Sequence, residues 1–127
     1  MLLTVQMAKA KTLPAGTRII DITIKSSRPP WDIFAPTWNM VNAYKAGELS
    51  EEGYTEQYIN LMRKRYKENK NVFQQLIQMA MHESVALACY CTPGEFCHRH
   101  ILKNILQKIE PRLEYIEEPT VEQAVLF

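Results

Sequence analysis

All three cysteines of the chain and two of its three histidines fall in one run, CYCTPGEFCHRH, at 89–100. Side chains of these types, placed so closely, could bind a metal through sulfur and nitrogen, attack an electrophile as a thiolate, or hold an anion on arginine and backbone N–H groups. Spacing weighs against the metal. A structural zinc site normally takes two close-spaced ligand pairs from separate segments, but this run has no C-x2-C and no distant second pair, and a helix would point His98 and His100 to different sides. A phosphate loop of the C-x5-R type also fails, because the sixth place after Cys91 is Cys97 and Arg99 comes two later.

The thiolate reading centres on Cys97. Near a helix start, its pKa is expected to be lowered by the dipole and by His98, Arg99 or His100. Cys97 and His100 are three apart and share a helix face, so thiolate and imidazole could meet. The alternative is a buried helix cysteine, which the neighbouring Phe96 favours. Cys89 is assigned to the core of an apolar strand, and Cys91 to that strand's carboxyl end, where a site would open. In the turn between them and Cys97, Gly94 lets a backbone approach closely. Thr92 and Glu95 have capping-box spacing, with Pro93 at the favoured first helical position. That turn is either a well-capped helix start or, in addition, an anion site on free N–H groups. His82 is expected to be an exposed turn residue.

The elements around this run set where it sits. "LLTVQM" (2–7) and "RIIDITIKS" (18–26) are predicted strands, joined by a basic connection with room for one helical turn. "SRPPWDIFAP" (27–36) holds three prolines in ten residues and must be a loop, the kind of irregular segment that often carries function. Helices are expected from Thr37 to Gly47, from Ser50, and from about Asn71; Tyr54, Tyr58, Leu61 and Met62 stripe the second, and Phe73, Leu76, Ile77 and Ala80 the third. "SVALACYC" (84–91) is apolar on both faces, as a central parallel strand must be. A helix from Thr92 or Glu95 to Ile109 and a strand at 112–118 follow. This order predicts an α/β fold: a single Rossmann-like three-layer domain over 1–118 with a small, mostly parallel sheet, and a tail at 119–127. In such a sheet ligands bind at the carboxyl ends of the strands, which is where 89–100 falls.

Bulk composition narrows the function classes. The chain has 127 residues, 46% hydrophobic and 23% charged, which suits one globular domain with a core of its own. Fifteen basic against fourteen acidic residues give a net charge of +1, so no global field points to nucleic acid. A local patch, "RKRYKENK" (63–70), fits a solvated helix end better than a nucleic-acid contact. No apolar run is long enough for a membrane span or a signal peptide, and an odd, clustered set of cysteines argues against a secreted disulfide framework, so a cytoplasmic protein is expected.

The motif also resembles a known family. "CYC", a short glycine-containing turn and "FCHRHIL" are similar to the signature of the domain of unknown function family 488, particularly its phage and bacterial members with a CYC…FCHR ending. "DITIKS" (21–26) looks like the family's early strand, and "FAPTW…YKAGELSEEGYTEQYINLMR" (34–63) like its next conserved region, so the resemblance spans about residues 2 to 118. It implies a compact Rossmann-like fold and accessory proteins of phages and bacterial gene clusters, with an enzymatic role linked to nucleotides or nucleic acids. Cys97, His98 and Arg99 match the family's CHR motif, and Lys25 and Ser26 match the end of its first motif strand. Some relatives lack the paired Cys89 and Cys91, which argues against cooperation of all three thiols.

Together these features suggest an enzyme or binding domain for a small anionic, nucleotide-like ligand, with no cofactor. The anion would sit near Gly94 and pair with Arg99, Cys97 would be nucleophile or polar contact, Lys25 would add a second cation, and the proline-rich loop would form a wall. Ser26, Cys91, Thr92 and His100 complete the expected ligand surface. The competing reading is a non-catalytic accessory protein that binds a host partner through the loop and the C-terminal "VEQAVLF", with a structural CHR motif. A zinc protein is the third.

Overall fold

Strand-forming and helix-forming runs of the sequence fold into the order they predict. The computed structural model describes residues 1–91 and 95–116. Strand β1 is Leu2–Gln6 and β2 is Arg18–Asp21, joined by a short 3-10 segment, Met7–Thr12. A second 3-10 turn, Trp31–Phe34, leads to helices α1 (Trp38–Lys45), α2 (Glu51–Glu68) and α3 (Lys70–His82). Then come β3 (Val85–Cys89), α4 (His98–Ile109) and the two-residue β4, Tyr115–Ile116.

The four strands form one parallel sheet in the order β2-β3-β1-β4. Strand β3 lies inside it, and all five of its residues are buried, which is why its sequence carries no polar alternation. Val85 and Leu87 face a large core shared with Leu2, Ile20, Phe73, Leu76 and Leu102. The opposite face is thinner: Val5, Ala86 and Ala88 pack on Leu3 and on Met7, Ala10 and Leu13 of the first 3-10 segment and its end. Alanines on this face let a short cover lie close to the strands. The result is the expected α/β class with unequal layers.

Helix starts follow their caps. Thr37 accepts from the Met40 N–H at 3.2 Å and Ser50 from the Gly53 N–H at 3.0 Å. The proline-rich loop is strapped down. Tyr58 donates its hydroxyl to the Phe34 carbonyl at 2.7 Å, and the Arg65 guanidinium donates to the carbonyls of Ile33 and Ala35. Arg65, expected on a solvated face, is therefore a clamp for that loop.

Three predicted boundaries change. The strand expected to run to Ser26 stops at Asp21, because its carboxylate Oδ1 accepts from the Thr23 N–H at 2.9 Å and the Thr23 hydroxyl at 2.7 Å, turning the chain before the ladder can continue. Lys25 and Ser26 thus lie in an exposed turn. Helix α4 begins at His98, not at Thr92 or Glu95, with Cys97 as an extended N-cap whose side chain makes no cap bond. The last strand is short, and residues 117–127, including the predicted tail, lie outside the described residues. Among those described, no helix is long and apolar enough to cross a membrane.

Candidate functional site

The carboxyl end of β3 and the start of α4 meet behind the sheet, and their side chains are held there by ordinary packing. Phe96, extended before the helix, inserts its ring between Tyr44 at 5.3 Å and Tyr54 at 5.4 Å. That contact keeps Cys97 out of the helix and turns its thiol inward. Cys97 is 4% exposed, His98 6%, and Arg99 wholly buried.

The three sulfurs converge. Cys89 Sγ and Cys97 Sγ are 2.6 Å apart, and with Cys91 Sγ all lie within 4.8 Å of one another. Cys89 is the last residue of β3, Cys91 follows two residues beyond it, and the extended N-cap brings the third thiol to them. Arg99 donates from Nη1 to Cys89 Sγ at 2.7 Å and to the Cys91 carbonyl at 3.0 Å. Its positive charge is permanent, so burial favours a negative charge on the sulfurs beside it. His98 is packed against the Tyr58 ring at 5.6 Å and directs Nε2 at the Ile22 carbonyl, 2.7 Å away. A carbonyl only accepts, so Nε2 carries the hydrogen and the bare Nδ1 faces Cys97 Sγ at 3.6 Å.

Titration follows from these contacts. Hydrogen bonds from the Cys89 and Cys97 thiols hold Cys91 far below the ordinary thiol range, with Arg99 adding to the effect. Cys89, bonded to Cys91, is pushed up to about 11, and Cys97, bonded to both, is raised as well. Of the three, Cys91 is the one whose thiolate form is favoured, and it is the half-buried member of the cluster. Burial lowers His98 from 6.5 to about 4, against the opposing pull of its Ile22 bond, so its ring is neutral at neutral pH.

A second polar group sits beside this one, on the turn after β2. Ser26 Oγ lies 2.5 Å from Asp21 Oδ2 and 2.7 Å from the Tyr90 hydroxyl, and Lys25 Nζ stands 5.9 Å from the Tyr90 ring centre. Tyr90, between Cys89 and Cys91, is 52% exposed.

Of the residues singled out by sequence, the structure thus brings Cys91, Cys97, His98 and Arg99 into one cluster, and carries Lys25 and Ser26 to its neighbour through Tyr90. His100 is half-buried and lines a groove of about 640 Å3 together with Thr55, Ile59, Phe96, Cys97 and Ile101. Thr92 and Gly94 lie outside the described residues. Sequence reasoning gave Cys89 to the core, and it is 2% exposed, yet its thiol is also the centre of the sulfur cluster. The three thiols, assigned from sequence to core, strand end and helix start, converge in the structure. Tyr90 was missed; the available signal was an aromatic residue at the open end of a buried strand.

No curated protein and no solved structure matches the chain. The family comparison reaches much further, since the description "Active DUF488-N3 subclade" matches residues 5–110, from β1 through the whole sulfur cluster to the end of α4. With most of its length matched, the chain belongs to the DUF488 family.

Proposed function

We propose that the carboxyl end of the sheet binds a small anionic, nucleotide-derived ligand and presents Cys91 to it as a nucleophile. The observation that carries this reading is the convergence of the half-buried Cys91 with Cys89 and Cys97, beside the buried Arg99, at the end of a parallel strand. Buried residues keep the charge on sulfur, and the partly exposed one is the one a ligand can reach. Compared with the sequence expectation, the nucleophile moves from Cys97 to Cys91. Arg99 acts through the sulfurs, while the exposed Lys25 supplies the cation for the ligand's anionic group. The Tyr90 ring beside Lys25 offers an aromatic face on which a base can stack.

The test combines thermal shift with thiol labelling. A panel of nucleotides and phosphosugars is expected to raise Tm for at least one member, to lose that effect in Lys25→Ala and Tyr90→Ala, and to protect Cys91 from iodoacetamide at pH 7. Absence of any shift, with Cys91 labelled only after unfolding, would sink the reading and favour a non-catalytic accessory protein with structural thiols.

A further inference from the structure

Three thiols arranged this way can do more than carry one nucleophile. The separation of Cys89 Sγ and Cys97 Sγ, 2.6 Å, is far inside non-bonded sulfur contact and well short of the roughly 3.8 Å that two sulfurs keep when both sit about 2.3 Å from one tetrahedral zinc. The pair is placed for bonding to each other. A third sulfur stands within 4.8 Å of both and is the more accessible one. A guanidinium touches Cys89, and an unprotonated imidazole nitrogen faces Cys97. These are the parts of a thiol relay: an outer sulfur to be oxidised, an inner pair to take over the oxidation, a cation to hold a thiolate and a base to move a proton.

From this geometry we infer that the cluster reduces a small hydroperoxide, with Cys91 as the entry thiolate and a Cys89–Cys97 disulfide as the end state. A hydroperoxide is the class of two-electron oxidant that a thiolate attacks with no further cofactor. Cys91 Sγ attacks the terminal peroxide oxygen; an S–O bond forms, the O–O bond breaks, and the departing alkoxide takes the Cys89 thiol proton to become an alcohol. Cys91 is now a sulfenic acid. Cys97 attacks Cys91 Sγ, forming an S–S bond as the S–O bond breaks, and in the same step its proton passes by way of His98 Nδ1. The departing hydroxide takes that proton from His98 and leaves as water. Cys89, deprotonated in the first step and left as a thiolate beside Arg99, then attacks Cys97 Sγ and releases Cys91 as thiolate, an exchange with no net oxidation. One hydroperoxide becomes an alcohol and water while two thiols become one disulfide.

This inference rests on the Cys91 thiolate of the proposed function but not on the nucleotide ligand. The test treats the full, reduced chain with one equivalent of hydrogen peroxide, then counts thiols under denaturing conditions and maps the linked peptides. The three cysteine thiols of the chain are expected to fall to one, with Cys89 joined to Cys97, and dithiothreitol is expected to restore all three. Cys97→Ser is expected to halt the relay at a dimedone-reactive sulfenic acid on Cys91, and Cys89→Ser to leave a Cys91–Cys97 disulfide. Cys91→Ser should slow thiol loss by about tenfold or more, since the inner thiols lack thiolate character. Three thiols surviving peroxide in the wild type, a lasting sulfenic acid on Cys91 without a disulfide, or an undiminished rate in Cys91→Ser would each overturn it. Nucleotide-induced shifts in Tm that persist while all three thiols survive would separate failure of the relay from failure of the ligand reading.

Discussion

Two polar groups occupy the same end of the sheet and differ mainly in their depth. The cluster of Cys89, Cys91, Cys97, His98 and Arg99 is enclosed by α4, Tyr58 and the strand itself, and in it a wholly buried guanidinium stands within hydrogen-bond distance of sulfur. The turn group of Asp21, Thr23, Ser26 and Tyr90 is linked by bonds of similar length, 2.5 to 2.9 Å, but Ser26 and Tyr90 face solvent. Water competes for the bonds of Ser26 and Tyr90 in the second group and is kept from most of the first. Similar distances therefore carry unequal energy, because a lost partner in the open is replaced by water and a lost partner inside is not.

Removing Arg99 gives the largest expected contrast. Arg99→Met leaves the Cys91 carbonyl and the sulfurs without their buried donor, and urea unfolding is expected to lose about 3 kcal/mol or more, with Cys91 drifting back toward ordinary thiol reactivity. A loss no greater than that of a surface substitution would show that the two groups do not differ as argued.

Acid should separate them next. His98 titrates at about 4 in the fold against 6.5 ordinarily, so as pH falls the unfolded chain takes up this proton before the folded one. Its contribution is complete above pH 6.5, falls on the way to about 4, and is constant below that. The loss attributable to this ring is on the order of 3 kcal/mol, at about 1.4 kcal/mol per pH unit. Denaturant titrations from pH 7 to 4 on wild type and His98→Gln measure it: the variant starts less stable but should show a shallower decline.

The smallest effect belongs to the turn. Ser26→Ala removes bonds to Asp21 and Tyr90 that water can replace, and should cost about 1 kcal/mol or less. A larger loss would mean that the turn is coupled to the interior more tightly than its exposure suggests.

The same difference in depth explains which parts were readable in advance. The fold class, the order of elements and the caps at Thr37 and Ser50 all follow from local rules, since apolar spacing and a capping hydroxyl act within a few residues. Strand β3 was recognisable because burial on both faces leaves no polar position in it. The end of β2 was misjudged where a side chain, Asp21, took a bond that alternation assigns to the ladder. The helix start was misjudged because a suitable capping box competes with a tertiary demand, the seating of Phe96 against Tyr44 and Tyr54.

By itself, then, the sequence determined an α/β chain of the DUF488 family with its cysteines, histidines and arginine gathered at the carboxyl end of a buried strand. Only the tertiary structure decided that three thiols meet, that Arg99 faces them and that Lys25 belongs to a neighbouring turn. Those outcomes depend on where Cys97 leaves the extended chain, on the pairing of β2 with β3 and on which charges lose water. Such quantities are set by contacts between residues far apart in sequence, which no local pattern encodes.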